Sequence, residues 1–231
     1  IIQKSKNKQI SAKNIIIATG AKPKTFQNIK IDGKYIISSK EALNLVEIPK
    51  KIIIVGSGAI GCEFAFYFNS FGVDVEIIEM QKTILPMEDS EISAALKDSF
   101  VSSGIKVHNN SKVESIDKLK TKIKVNVTTE SESLQIDGNV ALLAIGVEGN
   151  INNIGLQDIG VNSENGSISI NNYCQTNISN IYAIGDVAGP PWLAHKASAQ
   201  GHMVADLICG EHVHEIDYFN VPNCTYCQPQ V

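Results

Sequence analysis

The stretch KKIIIVGSGAIGCEFAFYFNSFGVDVEIIE, residues 50–79, decides the fold of this chain. It opens on a strand-like run at 51–55 that is continuously apolar from Ile52 to Val55, which is typical of a parallel strand buried on both faces. The glycine pattern G-x-G-x-x-G follows at 56–61 and leads into a helical pattern, and a second strand closes on Glu79. Strand, glycine turn, helix and strand in this order predict an α/β unit of the Rossmann type.

The three glycines predict a site for a dinucleotide. Gly56 allows the tight turn after the strand, Gly58 leaves room for a pyrophosphate, and Gly61 lets the helix pack closely. The phosphates then meet free N–H groups at the positive end of the helix dipole. The alternative is that the glycines serve only a tight strand-to-helix turn.

Glu79 predicts which nicotinamide dinucleotide is bound. A carboxylate at the end of the second strand accepts hydrogen bonds from the adenosine ribose hydroxyls and repels a 2′-phosphate. A site for NADP favours arginine, and the chain contains none. The sequence therefore predicts NAD rather than NADP, unless Glu79 is only a solvated acid at a strand end.

The remaining elements complete an α/β pattern. A capped short helix is expected at SSKEALNL, with Ser38 or Ser39 as the cap and Glu41 in the first turn. Successive strands without a helix over 112–146 predict a β-meander. The other expected elements are a buried-type strand at 13–20, helices at 59–71, 87–104 and 194–210, and strands at 73–79, 105–110, 140–146 and 180–186.

Composition excludes several classes of function. A net charge of −4 over 231 residues argues against nucleic acid as a partner, although the start is rich in lysine (Lys4, Lys6 and Lys8). The apolar runs are far shorter than the roughly 20 residues of a membrane span. Five irregularly spaced cysteines suit a reducing cytoplasm. The opening IIQKSKNKQIS and the closing CTYCQPQV favour a fragment of a longer protein.

The order of four motifs resembles a known family. They are ATG at 18–20, GSGAIGCE at 56–63, LLAIG at 142–146 and IYAIGDVAGPPWLAHKASAQG at 181–201. This order is similar to the flavoprotein pyridine nucleotide-disulfide oxidoreductases. ILPMEDSEIS at 84–93 and PWLAHKA after GDVAGP are most similar to the dihydrolipoamide dehydrogenases of that family. The resemblance implies a Rossmann-like NAD domain inserted in a second, FAD-binding Rossmann-like domain, in three layers with a β-meander.

The resemblance also implies a domain for each segment and cofactor contacts at particular positions. The first half of the FAD domain would end with 1–33, the NAD domain would be 34–148, the FAD domain would resume over 149–217, and 218–231 would begin the C-terminal dimerisation domain. The NAD contacts would be Gly56, Ser57, Gly58, Ala59, Ile60, Gly61, Cys62, Glu63, Glu79, Val113 (by the adenine) and Gly146 (by backbone). The FAD contacts would be Thr19, Gly20, Ala21, Asp186 (to the ribityl chain), Trp192, Leu193, Ala194 and His195.

Some residues keep two interpretations. Glu63 either suits the helix dipole or, as the resemblance implies, supports the flavin and nicotinamide as the partner of a lysine. Cys224-x-x-Cys227 is expected to be structural; a redox pair, or a zinc site with His212 and His214, is the alternative. Cys62 is expected in the core. His195 is expected to matter through its backbone, with an imidazole role as the alternative.

The resemblance implies an NAD-dependent dihydrolipoyl dehydrogenase. Dihydrolipoamide would reduce a disulfide, the disulfide FAD, and FAD would pass a hydride to NAD. The redox CxxxxC and the C-terminal His–Glu pair are not in this sequence, so residues 1–231 alone are expected to be inactive, with no catalytic residue among them and no metal. Implied partners are a second subunit and the lipoyl-bearing acyltransferase of a 2-oxo acid dehydrogenase complex. The alternatives are an NADH oxidase or ferredoxin reductase type of flavoprotein, and a nucleotide-binding module without turnover.

Overall fold

A computed structural model describes residues 10–231, which form two compact units. The first unit consists of residues 10–22 and Glu148–Pro222, and the second of Pro23–Val147 and Asn223–Val231. The second unit thus lies, in chain order, largely between the two segments of the first. Two short strands, β2 (Ala21–Pro23) and β11 (Val147–Gly149), pair with each other.

A five-stranded parallel sheet forms the centre of the second unit. Its strands, in spatial order, are β3 (Ile36–Ser38), β10 (Val140–Leu143), β4 (Lys51–Val55), β5 (Asp74–Ile78) and β6 (Lys106–His108). The continuous apolar runs predicted this arrangement, because a strand covered on both faces has no polar side to alternate with.

Each face of this sheet is covered by a different layer. One face packs against α1 (Ser39–Ala42), α2 (Ala59–Ser70) and α3 (Ser90–Ser102). The other face packs against an antiparallel meander of β7 (Lys112–Lys118), β8 (Ile123–Thr128) and β9 (Ser133–Gly138). The alternation along β4 decides the layers: Ile52 and Ile54 lie in the helix-side core, and Ile53 and Val55 in the meander-side core. The predicted three-layer α/β fold with a β-meander is confirmed.

The expectation of one meander through residue 146 is wrong in its last part. The chain leaves the meander after Gly138, and β10 enters the parallel sheet between β3 and β4. Asn139 fixes this change of sheet: its N–H donates to the carbonyl of Lys51, and its Oδ1 accepts from the N–H of Lys51 at 2.9 Å. All four residues of β10 are buried, as a central strand requires.

The capped short helix near residue 38 is confirmed. Ser38 is the N-cap of α1, and the Oε2 of Glu41 accepts from the N–H of Ser38 at 2.9 Å, which completes a capping box. The helix is shorter than expected and comprises only Ser39–Ala42.

The first unit holds a parallel pair, a hairpin and a long helix. β1 (Ile15–Ile17) pairs with β14 (Ile181–Ala183), β12 (Ser163–Glu164) pairs with β13 (Ser167–Ile168), and α4 is Ala194–Cys209. The buried-type strand expected at 13–20 is wrong in its burial, since Ile15 and Ile16 are 47% and 42% exposed. Among residues 10–231, β1 pairs with β14 alone.

The last residues pack on the second unit without forming a strand. Residues 221–231 form neither a helix nor a strand. The N–H of Val231 and the carbonyl of Thr225 hydrogen-bond at 3.2 Å, so this segment bends back on itself. Cys227 then lies in the helix-side core. Across residues 10–231, the helices are too short or too polar for membrane crossing.

Candidate functional site

The glycine turn after β4 is built on two contacts that exclude any side chain. Gly56 has φ +98°, and a Cβ there would lie 2.5 Å from the carbonyl oxygen of Ala144. A Cβ on Gly61 would lie 2.0 Å from the carbonyl oxygen of Gly56. The start of α2 therefore rests directly on the turn, and both glycines have the structural roles that the sequence predicted.

Gly58 has the opposite environment, because a Cβ there would meet no atom within 4 Å. It is the N-cap of α2, and no side chain caps that helix. The first N–H groups of a helix lack partners within the helix. The turn thus presents unpaired donors and the positive end of a helix dipole to open space, and these features fit a pyrophosphate.

Glu79 is fixed to the glycine turn. Its Oε2 accepts from the N–H and the Oγ–H of Ser57 at 2.8 and 2.7 Å, and its Oε1 accepts from the N–H of Gln81 at 2.7 Å. Glu79 is only 6% exposed, so the alternative of a solvated strand-end acid is wrong. Each carboxylate oxygen can accept more than one hydrogen bond, so acceptor capacity remains for a hydroxyl group. Sequence reasoning did not predict that Ser57 orients this carboxylate.

Parallel strands bring several predicted residues to one edge of the sheet. Gly56 follows β4, Glu79 follows β5 and Gly146 follows β10 by three residues, and these strands are neighbours with the same direction. Gly146 has φ +97°, and its carbonyl accepts from the N–H of Lys24. Val113 is instead buried in the meander-side core, and its contact with adenine stays a prediction.

Glu63 lies in the second turn of α2, so the explanation by the helix dipole is wrong. Its Oε1 accepts from the N–H of Tyr226 at 2.9 Å. An apolar groove of about 550 Å³ borders Glu63, with Tyr67, Phe71 and Tyr226 among its lining residues. The carboxylate is the only charged group of that lining.

In the first unit, Thr19 and Asn150 lock two chain segments together. The Oγ1 of Thr19 donates to the carbonyl of Asn150, and the Nδ2 of Asn150 donates to the carbonyl of Thr19, both at 2.9 Å. The N–H of Asn150 also donates to the carbonyl of Gly20. The predicted positions Thr19 to Ala21 are therefore held by Asn150, which sequence reasoning missed.

Asp186 lies in a tight one-turn helix, Gly185–Ala188, that follows β14. The turn is held from α4: the Nζ of Lys196 donates to the carbonyls of Gly185 and Gly189, both at 3.0 Å. The Oε1 of Gln200 accepts from the N–H of Gly185 at 2.7 Å. Sequence reasoning missed Lys196 and Gln200; their spacing of four on one helix face was the available signal.

The segment Trp192 to His195 leads into α4. Leu193 is the N-cap and caps no N–H group with its side chain, so the first donors of this helix are also unpaired among residues 10–231. The Nε2 of His195 lies 2.9 Å from the carbonyl oxygen of Pro222. The unpaired N–H groups at the start of α4 fit a group that gains negative charge when it is reduced.

The buried cysteines Cys62 and Cys227 have structural rather than reactive environments. Cys62 is fully buried, as predicted, and burial raises the pKa of its thiol. Burial likewise raises the pKa of Cys227 to about 11, with Glu63 and Cys224 adding to the effect. Within residues 10–231, histidine, cysteine and acidic side chains do not gather into a metal-binding group. Both observations count against a redox pair or a zinc site at Cys224 and Cys227.

Together, the parallel sheet, the glycine turn and the fixed carboxylate define a Rossmann-like dinucleotide-binding protein. The family model of the pyridine nucleotide-disulphide oxidoreductases matches residues 2–201, and the chain belongs to that family. FAD and NAD are the cofactors used in this family and by the dihydrolipoyl dehydrogenases.

Individual relatives agree with this placement. The chain is 45% identical to a dihydrolipoyl dehydrogenase of Rhizobium etli, covering 96% of this chain and 46% of that protein. It is 43% identical to the dihydrolipoyl dehydrogenase of Zymomonas mobilis, covering 97% and 48%. The chain spans about half the length of the curated relatives it matches.

Solved structures show the same fold. The crystal structure of LpdA from Mycobacterium tuberculosis matches with a TM-score of 0.87 at 28% identity, covering 94% of this chain and 47% of that one. The HOCl-induced flavoprotein disulfide reductase RclA from Escherichia coli matches with a TM-score of 0.84 at 27% identity, covering 94% and 50%.

Proposed function

We propose that this chain is the nucleotide-binding portion of an NAD-dependent dihydrolipoyl dehydrogenase. The reaction oxidises a protein-bound dihydrolipoamide to lipoamide and reduces NAD⁺ to NADH, with release of one proton. The observation that carries the proposal is the uncapped start of α2 above Gly58, with the Glu79 carboxylate fixed beside it. The names of the similar proteins supply the substrate class.

The second unit would bind NAD. The unpaired N–H groups at the start of α2 would donate to the pyrophosphate, and Gly58 leaves the necessary space. Glu79 would accept hydrogen bonds from the adenosine ribose, with Ser57 and Gln81 holding its two oxygens in place. A 2′-phosphate would meet a buried carboxylate, and this repulsion disfavours NADP. Glu63 would support the nicotinamide end.

The first unit would bind FAD. When bound, the flavin takes two electrons from a dithiol and passes them to NAD as a hydride. Asp186 would accept a hydrogen bond from the ribityl chain, and Thr19 to Ala21 would line the site. The free N–H groups at the start of α4 would stabilise negative charge on the reduced ring.

The wider setting belongs to the same proposal. The protein would be a cytoplasmic homodimer, and its substrate would be carried by the lipoyl-bearing acyltransferase of a 2-oxo acid dehydrogenase complex. Residues 34–148 would act as the NAD domain, 1–33 with 149–217 as the FAD domain, and 218–231 as the start of the dimerisation domain.

The first experiment measures nucleotide binding by the chain itself. NADH and NADPH are titrated by fluorescence against the chain, Glu79→Gln and, as a matched control, the exposed Glu88→Gln. We expect NADH to bind at least tenfold more tightly than NADPH, a difference of about 1.4 kcal/mol. Glu79→Gln should lose most of that preference and Glu88→Gln should keep it. Equal affinity for both nucleotides in the unaltered chain would contradict the NAD assignment.

The second experiment tests the reaction in the full-length protein. NADH formation from NAD⁺ is followed with dihydrolipoamide as the electron donor. We expect turnover that depends on both substrates. Consumption of NADH by oxygen or ferredoxin without any reaction with dihydrolipoamide would assign the protein to another branch of the family.

A further inference from the structure

Lys196 is the only lysine among residues 10–231 whose side chain is fully buried; it is 1% exposed. Its ammonium group forms no ion pair with the carboxylates of that part of the chain. It donates to two backbone carbonyls instead, those of Gly185 and Gly189. Burial lowers the pKa of Lys196, and the negative charge of nearby Asp186 opposes that effect.

These two carbonyls lie at the two ends of one turn. Gly185 begins the one-turn helix and Gly189 follows its last residue, so Lys196 spans the segment that carries Asp186. Both glycines have positive φ, +72° and +91°, and side chains rarely adopt such a backbone conformation. Without an external hold, a glycine-flanked turn of this kind has many alternative conformations.

Gln200 strengthens the hold from one turn further along α4. It accepts from the N–H of Gly185, and its Nε2 donates to the hydroxyl of Tyr218 at 2.9 Å. Both backbone groups of Gly185 are therefore fixed by α4, whereas Gly189 is fixed through Lys196 and through its own N–H to the carbonyl of Asp186. Within residues 10–231, Lys196 is the single side chain that hydrogen-bonds to both ends of the turn.

We infer that Lys196 is a positioning residue for the flavin half of the site, holding the Gly185–Gly189 turn so that Asp186 points at the ribityl chain of FAD. The inference rests on the proposed function for the identity of the ligand. Lys196 acts through the backbone of the turn. Its replacement should therefore weaken FAD binding only when Asp186 is present.

The first test measures, in the absence of any cofactor, how strongly Lys196 stabilises the Gly185–Gly189 turn. Amide hydrogen exchange is compared between the chain, Lys196→Met and the exposed control Ser198→Ala on the same helix. We expect exchange in the Gly185–Gly189 turn to rise at least tenfold in Lys196→Met, with the α4 amides unchanged. Unchanged exchange in the turn would overturn the inference, whatever the cofactor.

The second test is a double-mutant cycle read out by FAD affinity, with the affinity for NADH as an internal control. Lys196→Met and Asp186→Asn should each weaken FAD binding at least tenfold, and the double variant should be little weaker than either one. If the loss of FAD affinity in the double variant equals the product of the two single losses, Lys196 acts only on general stability, and the inference is overturned. If the chain by itself does not bind FAD, the cycle is measured in the full-length protein, and a full-length protein that does not bind FAD would refute the flavin part of the proposed function.

A measurement on the unaltered chain covers the case that Lys196→Met does not fold. NMR of ¹⁵N-labelled lysine side chains should show one slowly exchanging signal, since Lys196 is the one fully buried lysine of the described residues. That signal should shift when FAD is added. Rapid exchange of every lysine signal, or a protected signal that stays unchanged in a protein shown to bind FAD, would overturn the inference.

Discussion

Replacing Gly61 with alanine would place a Cβ 2.0 Å from the carbonyl oxygen of Gly56, whereas replacing Gly58 would place a Cβ in open space. Substitutions of these two glycines of one motif should therefore have different effects. Gly61→Ala should destabilise the second unit. Gly58→Ala should leave stability nearly unchanged and block the nucleotide.

The magnitudes follow from the contacts. At Gly61 the obstacle is backbone and the overlap is deep, so the first turn of α2 has to move by about an ångström, and we expect overpacking at the upper end of the usual range, about 3 kcal/mol. The better helix propensity of alanine offsets about 1 kcal/mol of that cost. A net loss of about 2 kcal/mol lowers Tm by roughly 4–8 °C. Gly58 has φ −67°, which alanine adopts freely, so only a loss of about 0.5 kcal/mol at the N-cap is expected.

The assay combines thermal unfolding with NADH titration. Gly58→Ala should weaken NADH at least tenfold, about 1.4 kcal/mol, because its methyl group fills the space that the pyrophosphate needs. Gly61→Ala should lower Tm and, through the displaced helix, weaken NADH as well. Normal NADH affinity in Gly58→Ala would refute the assignment of the open space to phosphate. An unchanged Tm in Gly61→Ala would refute the argument from packing.

Three further predictions concern titration, capping and thiols. Burial raises the pKa of Glu76, but hydrogen bonds from Lys51, His108 and Lys106 outweigh it and hold this pKa at about 2. Its contribution of about 3 kcal/mol to the free energy of unfolding is therefore present above pH 4.5 and lost as the pH falls towards 2. In Glu76→Gln, the free energy of unfolding measured with urea should vary less over this pH range. Glu41→Ala should cost about 1 kcal/mol in the same assay by opening the capping box with Ser38, and a null effect would contradict the reasoning. A thiol reagent should react rapidly with exposed Cys209 in the native chain, and rapid native reaction of the buried thiols (Cys62, Cys174 and Cys227) would contradict their placement.

Local pattern was sufficient for much of the fold. The run 51–55 predicted a buried parallel strand because β4 has apolar layers on both faces. Ser38 and Glu41 predicted a capped helix because a capping box is a contact between residues three apart. The glycine spacing predicted the turn of the nucleotide site because each glycine meets an obstacle or a space set by its own strand–turn–helix unit and the neighbouring strand.

The sequence by itself determined the α/β class, the glycine turn, the acid after β5 and the family, since these depend on short-range spacing and on the order of motifs along the chain. Only the tertiary structure decided that Glu79 is buried against Ser57, that β10 leaves the meander for the central sheet, and that Ile15 and Ile16 are exposed. It also decided that Lys196 is buried. A lysine in a helical pattern is usually exposed, and whether it is buried depends on carbonyls that another element supplies. Contacts between distant segments are set by packing, and no local pattern encodes them.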